Sequence, residues 1–405
     1  MFDVIVVGAG LSGLVCARRL AQRGANVIVL EARDRVGGRL HTGTVGGAVV
    51  DLGGQWITPG QHRVFELAHE LGIATIVHER HGRAVLEESE RSWLRRTTAA
   101  LAQWSAMRRI ERLPEHPDFD SVSLRDWLAT TIRNRIARDR IQLHADLIFA
   151  CDPSELSLLY YQKTLRATGG FAPEGADSGE LRVVGGAQSL ALRIADSLGD
   201  RIHLSAPIEA IEDTGASVIA RGAATYEAKQ LVLAIPPTLV RRLAIELPPA
   251  ARRYVDLVHT GRVIKCFAAY PRAFWRDVGL SGEQYRVHGA VRATVELAGA
   301  PPALLAFIVG REAARWATRD PAERRAEVLA VFGDPDPLDY LEVDWGVDPW
   351  SGGCVACLPP NSLGARWGES HGRVHFAGTE TARAWPGYME GAIEAGERAA
   401  ELARE

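Results

Sequence analysis

The most regular hydrophobic pattern of the chain lies at its start, where an unbroken apolar run meets a glycine-rich turn. Residues 4–7 are Val-Ile-Val-Val. Four β-branched residues in a row predict a strand that is buried on both faces of a sheet. Residues 14–24, LVCARRLAQRG, instead space their apolar positions as a helix does. Strand, glycine turn and helix in this order predict the first unit of a parallel α/β sheet.

The turn between strand and helix reads GAGLSG and matches the G-x-G-x-x-G pattern of dinucleotide-binding domains. Gly8 permits the tight turn, Gly10 lets a pyrophosphate approach the backbone, and Gly13 lets helix and strand pack closely. Ser12 lies at the start of the helix, whose free N–H groups are expected to face the phosphates. These four residues are therefore predicted to bind a dinucleotide.

An acidic residue stands where such a domain needs one. The second predicted strand, NVIVL at residues 26–30, runs directly into Glu31. An acid roughly twenty residues past the glycines binds a ribose hydroxyl in dinucleotide-binding domains. The alternative interpretation is a glycine-rich turn in an ordinary α/β unit, but the strand, the spacing and the acid together favour the dinucleotide.

Two further glycine pairs follow within the next 25 residues or so. The first belongs to EARDRVGGR, residues 31–39, in which Gly38 allows close backbone approach and Arg39 can pair with a phosphate. The second belongs to DLGGQW, residues 51–56, where a glycine pair precedes an aromatic residue. Both elements continue beyond the ribose toward a ring system, so FAD is predicted rather than NAD. The cofactor-binding residues predicted from these segments are Arg33, Gly38, Arg39, Gly53, Gly54, Gln55 and Trp56.

EARDRVGGR followed by DLGG-x-W resembles the flavin-dependent amine oxidase family, the monoamine oxidases in particular. The resemblance covers nearly the whole chain and is densest in the first and last sixty residues. It implies an α/β fold with two domains, a Rossmann-type FAD-binding domain and a mixed α+β substrate domain. The FAD-binding domain is expected at residues 1–76, 184–254 and 348–405, and the substrate domain at 77–183 and 255–347. No strand alternation is evident over residues 77–180, which are expected to be helical.

The resemblance also implies roles for individual residues. Lys265, in VIKC, matches the family's lysine that holds a water against flavin N5, although its strand position alone permits exposure to solvent. Tyr388 matches one aromatic wall of the substrate cage, and Val355 stands where the opposite aromatic wall is usual, which is a departure from the family. Cys354 matches the cysteine that bonds covalently to the flavin in monoamine oxidases, but relatives bind FAD without this bond, so the link is left open. The remaining matches to flavin-contacting positions are Ile208, Trp345, Thr379, Glu380 and Met389.

Composition narrows the remaining possibilities. The 405 residues carry a formal net charge of −3, which does not suggest binding to nucleic acid or to an anionic membrane surface. The five cysteines are scattered, and the C-x-x-C at Cys354 and Cys357 lacks the context of a thioredoxin-like motif. No metal site is expected. With no leader before the first strand and no long apolar run, the sequence predicts a soluble cytoplasmic protein, with a homodimer left open.

The function that the resemblance implies is oxidation of an amine by FAD, with hydride leaving the α-carbon for the flavin and dioxygen serving as oxidant. The products would be an imine, then an aldehyde or ketone, and hydrogen peroxide. An L-amino-acid oxidase or a desaturase on the same fold remains an alternative. A non-redox flavin-binding protein or mutase is the alternative of another class, which joint retention of Lys265 and Tyr388 argues against.

Overall fold

The computed structural model describes residues 1–88, 92–172, 179–297, 299–334 and 336–403. Its helices are α1 Leu11–Gln22, α2 His62–Glu70, α3 Trp93–Glu111, α4 Pro117–Asp120, α5 Leu124–Thr131, α6 Arg135–Phe149, α7 Leu158–Ala167, α8 Gln188–Leu198, α9 Pro237–Val240, α10 Pro249–Leu257, α11 Phe274–Asp277, α12 Gly310–Trp316, α13 Pro321–Phe332 and α14 Met389–Leu402. Short 3-10 turns cover Gly199–Arg201, Trp345–Val347 and Thr379–Thr381.

The strands alternate with these helices along the chain. They are β1 Phe2–Val7, β2 Val27–Leu30, β3 Thr42–Val45, β4 Ala48–Asp51, β5 Trp56–Ile57, β6 Thr75–Val77, β7 Arg83–Glu87, β8 Leu181–Val183, β9 Ile202–His203, β10 Ile208–Asp213, β11 Val218–Gly222, β12 Thr225–Leu233, β13 His259–Thr260, β14 Val263–Ala269, β15 Leu280–Arg286, β16 Val291–Leu297, β17 Ala303–Val309, β18 Asp339–Asp344, β19 Ala356–Cys357 and β20 Val374–Phe376.

A seven-stranded sheet forms around β1, which pairs in parallel with β2 on one side and β12 on the other. Strands β9 and β20 extend the parallel part, and β10 and β11 add an antiparallel ribbon beside β12. Residues 4–7 of β1 are buried, as their continuous apolar run predicts. The parallel strands place their carboxyl ends at one edge of the sheet, where ligands bind in such folds.

Glycines allow α14 to pack tightly against α1, and α1 against the turn that follows β1. A Cβ added at Gly396 of α14 would lie 2.4 Å from the carbonyl oxygen of Ser12. A Cβ at Gly13 would lie 2.0 Å from the carbonyl oxygen of Gly8. The close packing holds the amino-terminal ends of both helices near the carboxyl edge of β1.

The second large sheet has six strands in the order β18-β14-β17-β16-β15-β7. Strand β14 lies between β17 and β18 in antiparallel pairing, and all seven of its residues are buried. Strand β7 joins the edge in parallel with β15. The sequence analysis missed β7, Arg83–Glu87, because the strand is short, none of its residues is fully buried, and its sequence shows no strong alternation.

Helices α3 to α7 form a separate layer with its own core, which includes Met107, Trp127, Phe149 and Tyr161. The two large sheets take their strands from the two sets of segments that the sequence assigned to separate domains. The boundaries between those domains stay a prediction, and residues 173–178 of the helical insertion lie outside the described residues. In the described part of the chain, no helix has both the length and the apolar character that a membrane span requires.

Candidate active site

The glycine turn after β1 has the geometry that a bound phosphate requires. Gly8 has a φ of +103°, and a Cβ there would lie 2.8 Å from the carbonyl oxygen of Ala234. A Cβ at Gly10, in contrast, would meet no atom within 4 Å. Open space therefore lies over Gly10 at the amino-terminal end of α1, where N–H groups favour an anion. Ser12, in the first turn of α1, is buried.

Glu31 follows β2 at the same edge of the sheet and is 4% exposed. Its carboxylate accepts hydrogen bonds from the N–H groups of Ala9 at 2.7 Å and Arg33 at 2.9 Å. Each carboxylate oxygen keeps a further lone pair for a ligand hydroxyl. The Arg33 guanidinium forms an ion pair with Asp348 at 2.6 Å, which ties this turn to the last third of the chain. The four groups form a fixed polar rim beside the glycine turn.

Ile208 begins β10 close to this rim. The N–H of Ala206 donates to the carbonyl oxygen of Glu31 at 2.8 Å, and that of Ser205 donates to the carbonyl oxygen of Arg33 at 2.8 Å. These bonds bring the segment before Ile208 alongside Glu31, as expected for the adenine end of a dinucleotide site.

The glycine pair at residues 37–38 lies directly on the glycine turn that follows β1. Gly38 has a φ of +58°, and a Cβ there would lie 3.1 Å from the Cα of Gly10. Arg39 then extends toward the far end of the site, where its Nη1 donates to Glu380 Oε1 at 2.7 Å and to the carbonyl oxygen of Cys354 at 2.9 Å. A single guanidinium thus joins three of the segments that the sequence predicted to contact the flavin.

The glycine pair at residues 53–54 packs against Trp345. A Cβ at Gly53 would lie 1.9 Å from the carbonyl oxygen of Arg39 and 3.2 Å from Trp345. The indole N–H of Trp345 donates to the carbonyl oxygen of Leu52 at 2.7 Å. A Cβ at Gly54 would approach Leu40 to 3.0 Å. At position 53 only glycine allows this close approach, which sets the backbone of residues 51–54 against Lys265.

Lys265 lies at the centre of β14 and is 5% exposed. Its Nζ donates to the carbonyl oxygens of Gly53 at 2.6 Å and Asp51 at 3.1 Å. The rings of Phe307 and Trp56 lie 5.4 and 5.9 Å from the same nitrogen. Burial lowers the pKa of Lys265 to about 8, although the nearby Asp51 carboxylate opposes the shift. The structure therefore places this lysine inside the protein rather than on the solvent face of its strand.

Cys354 lies on the loop that crosses the end of the site, and its Sγ is a free thiol. Burial raises the pKa of the Cys354 thiol, while the positive charges of Arg39 and Lys265 lower it. Arg39, Lys265 and Glu380 therefore all lie close enough to act on this sulfur. The cluster brings together the residues that the sequence assigned to the ring end of the flavin.

The start of α14 closes the site. Tyr388 immediately precedes the helix and Met389 begins it. Thr379 Oγ1 donates to the carbonyl oxygen of Tyr388 at 3.0 Å and accepts from the N–H of Gly387 at 3.0 Å. Burial raises the pKa of Tyr388 to about 12, with a contribution from the neighbouring Cys354. Val355 faces the same turn, since a Cβ at Gly387 would lie 3.2 Å from Val355 Cγ1.

Several buried polar atoms around this space have no hydrogen-bond partner among the described residues. They are Glu380 Oε2, the indole nitrogen of Trp56, and both amide atoms of Gln55. Buried polar atoms are normally paired, so unpaired ones at a predicted ligand site indicate where a ligand or water binds. Together with the open space over Gly10, these atoms offer the hydrogen-bonding groups and the clearance that a dinucleotide such as FAD requires.

Sequence reasoning missed three residues that bound the site. Asp51 supplies a carbonyl to Lys265 and carries a buried carboxylate whose pKa is raised by burial. Phe307 lies opposite Lys265 in the β14–β17 ladder, a pairing that the sequence alone does not reveal. Trp385 has a φ of +55° and its ring lies 5.3 Å from that of Tyr388. The Trp-Pro-Gly sequence at 385–387 was a usable signal for a sharp turn there.

A parallel sheet with a dinucleotide turn, facing an antiparallel sheet that carries a buried lysine, defines a two-domain flavoprotein oxidase. The family is settled by the comparison with family models. Residues 11–403 match the model of the flavin-containing amine oxidoreductases, and the chain belongs to that family. The prediction of the family and of its two-domain fold is confirmed, and the cofactor is FAD.

Similar proteins support the same conclusion. AofH of Mycobacterium tuberculosis, to which a flavin-containing monoamine oxidase activity is ascribed, is 36% identical over 98% of this chain and 95% of its own. The flavin-containing amine oxidase A of Equus caballus is 30% identical over 99% of this chain and 84% of its own. Among solved structures, putrescine oxidase bound to putrescine is 29% identical with a TM-score of 0.92, covering 100% of this chain and 99% of its own. Cyclohexylamine oxidase from Brevibacterium oxydans is 29% identical with a TM-score of 0.89, covering 99% and 98%.

The protein is therefore an FAD-dependent amine oxidase. When bound, FAD would supply the redox chemistry of amine oxidation, in which the α-carbon of the amine loses a hydride, the resulting imine is hydrolysed by water to an aldehyde or ketone, and dioxygen is reduced to hydrogen peroxide. The contribution of the protein is to bind and orient the amine, to exclude water and to position charge.

Proposed function

We propose that the protein oxidises amines bulkier than benzylamine, with Lys265 and Tyr388 as its catalytic residues. The observation that carries the proposed oxidase activity is the position of Lys265. Its buried Nζ donates to two backbone carbonyls of residues 51–53 and is surrounded by aromatic rings. A lysine confined in this way keeps a fixed direction, so it can hold a water molecule and a positive charge beside the ring end of FAD. This role serves the reaction with dioxygen more than the binding of the amine.

The proposed amine site lies between Tyr388 and Val355. Tyr388 is fixed by the hydrogen bond from Thr379 and by the edge of the Trp385 ring. Val355 is partly buried and packs against the core of the helical layer. One aromatic and one aliphatic wall leave a wider and less selective space than two aromatic rings would. Because an aromatic contact contributes about 1 kcal/mol beyond burial, loss of one ring weakens small substrates most.

The same geometry supports an amine rather than an α-amino acid as substrate. An amino acid oxidase needs a cation that is available to the substrate carboxylate. Here Arg39 is paired with Glu380 at 2.7 Å and Arg80 with Glu180 at 3.2 Å. Two cations near the site are therefore already engaged by protein carboxylates.

We further propose that the enzyme works in the cytoplasm. All five cysteines are free thiols, which is typical of a reducing compartment. Assembly into a homodimer stays a prediction that a sedimentation measurement would test.

Peroxide production from benzylamine and from 1-naphthylmethylamine tests the proposed specificity. We expect a higher kcat/KM for the naphthyl substrate, and a loss on both substrates in Tyr388→Leu. Val355→Tyr should improve benzylamine turnover roughly fivefold, the equivalent of about 1 kcal/mol. Val278→Tyr, at a position 72% exposed, is the matched control and should behave as wild type. Efficient turnover of benzylamine by the wild-type enzyme would refute the proposed specificity without affecting the assignment to the family.

A further inference from the structure

Three metal-ligating side chains from separate stretches of the chain meet behind the loop that carries Cys354. They are Cys151, His259 and Cys357, and one ligand atom from each lies within 4.8 Å of the others. Both cysteines are buried, with Cys357 fully so and Cys151 5% exposed, and His259 is half-buried. This cluster is separate from the residues assigned to the amine and the flavin, and the sequence analysis, which expected no metal site, did not predict it.

Local structure explains the meeting. His259 and Cys357 are register partners in the short antiparallel ladder of β13 and β19. Directly opposed residues in such a ladder bring their side chains together on one face. Cys151 approaches from the other side, because Ala150 ends α6 in the left-handed conformation, with a φ of 50°, and turns the chain toward the ladder.

The polar atoms of this cluster make few and weak hydrogen bonds within the described part of the protein. The Cys357 thiol donates to the carbonyl oxygens of Phe149 at 3.5 Å and Val355 at 3.7 Å, as weak thiol donors do. Within the described residues, Nε2 of His259 is buried and has no hydrogen-bond partner.

We propose that Cys151, His259 and Cys357 bind a zinc ion, with one coordination position left for a water molecule. Zinc accepts this combination of sulfur and nitrogen ligands and a tetrahedral arrangement. With the usual bond lengths, the ligand atoms of such a site lie roughly 3.6–3.8 Å apart. The three ligand atoms therefore need to draw together by about 1.2 Å at most.

The charge balance favours a divalent ion. Binding breaks the two S–H bonds, releases both protons to solvent, and forms two zinc–sulfur bonds and one zinc–nitrogen bond. Two thiolates and a neutral imidazole then neutralise the charge of Zn²⁺, so the buried site carries no uncompensated charge. A disulfide between the cysteines would instead leave the imidazole without a partner.

Zinc at this position would also brace the active-site loop. Cys357 lies three residues after Cys354 and two after Val355. Coordination therefore ties the loop beside FAD and the amine to the end of α6. We expect binding of zinc to raise the melting temperature, because the assembled three-ligand site of the folded state binds the ion more tightly than the separated side chains of the unfolded chain.

Zinc content of the holoenzyme, purified with reductant and equilibrated with a slight excess of Zn²⁺, tests this site. We expect about one zinc per chain in the wild type and in Cys16→Ala, a buried cysteine outside the cluster. Cys151→Ser and Cys357→Ser should lose affinity by roughly 100-fold or more, because even outer-shell partners contribute 10- to 100-fold. His259→Ala, at a half-exposed position, provides a variant that is less prone to misfold, and flavin absorbance verifies folding in each case.

Two further measurements assign the ligands. Co²⁺ in place of zinc should give thiolate-type d–d bands at longer wavelength than flavin absorption, and these bands should be absent from Cys357→Ser. Calorimetry in buffers of different ionisation enthalpy should show release of about two protons per ion. Equal zinc in the wild type and the cluster variants, or no zinc in the wild type, would overturn the proposal. A Cys151–Cys357 disulfide in the protein purified without reductant would overturn it as well.

Discussion

Replacement of Lys265 by methionine keeps a long side chain in the buried space but removes its charge and its hydrogen bonds. The residue lies in the centre of β14, and its Nζ holds the carbonyl oxygens of Asp51 and Gly53. If this ammonium group assists the reaction with dioxygen, the variant should slow reoxidation of reduced flavin at least tenfold, which is about 1.4 kcal/mol in the barrier. Anaerobic reduction by the amine should change much less, because the lysine is not expected to bind substrate.

The cost to stability can be worked out from the same contacts. A hydrogen bond from a charged donor contributes about 1.5–3 kcal/mol, so two contribute about 3–6 kcal/mol. Burial of the charge opposes them, and the fall in the pKa of Lys265 from 10.5 to about 8 corresponds to about 3 kcal/mol. We therefore expect the free energy of unfolding at pH 7 to fall by about 3 kcal/mol at most. The folded variant should remain available for kinetics.

The protonation of Lys265 makes both the rate of flavin reoxidation and the free energy of unfolding depend on pH, in opposite directions. The ammonium form predominates below pH 8, so wild-type reoxidation should slow as the pH rises through about 8. Between pH 8 and pH 10.5 the unfolded chain binds more protons at Lys265 than the folded one, so this residue makes stability increase with pH. Lys265→Met should lose both dependences.

Stopped-flow absorbance measures the two half-reactions separately. Lys229→Met is the matched control, because the Lys229 side chain is 60% exposed and pairs with Asp3 on the surface. It should reproduce the wild-type traces. Unchanged reoxidation in Lys265→Met, across the pH range, would refute a role for this lysine in the reaction with dioxygen.

Two further predictions concern the binding of FAD. Glu31→Ala should raise the dissociation constant of FAD roughly tenfold or more, because a hydrogen bond to a charged group contributes about 1.5–3 kcal/mol. Fluorescence of released flavin measures this constant. An unchanged constant would show that the carboxylate does not bind FAD. Cys354 should form a thioether with the flavin, because the Arg39 guanidinium holds its carbonyl oxygen at the ring end of the predicted site, although burial raises the pKa of the thiol and the cations of Arg39 and Lys265 only oppose that rise. Acid precipitation and intact-mass measurement test the link, with Cys354→Ala as the control that must release FAD, and an unmodified wild-type mass would exclude it.

The nucleotide end of the site was predictable from the sequence because its determinants are local. A tight turn, a close approach and an acid at the end of a strand depend on residues within about thirty positions of one another. The positive φ of Gly8, the open space over Gly10 and the burial of Glu31 all follow that pattern. Helix α13 was also predictable, and its amino-terminal cap is Asp320, whose side chain accepts from two backbone N–H groups.

The catalytic end was predictable only by resemblance, because its contacts join distant segments. Alternation along β14 left Lys265 free to face either side, and its burial depends on pairing with both β17 and β18. The meeting of Cys151 with His259 and Cys357 depends on the β13–β19 ladder and on the end of α6. Such pairings are set by tertiary packing and leave little trace in a single sequence. Strand β7 was not predicted for a related reason, since its place at the edge of the sheet depends on pairing with β15 rather than on its own sequence pattern.

The central claim is that this chain uses FAD to oxidise an amine, and an anaerobic titration tests it most directly. We predict that the purified protein is yellow with bound FAD and that an amine such as 1-naphthylmethylamine bleaches the flavin without oxygen. Admission of air should then restore the colour and release one hydrogen peroxide for each amine consumed. A flavin that stays oxidised with every amine of a broad panel, or that is reduced only by a nicotinamide cofactor, would contradict the account.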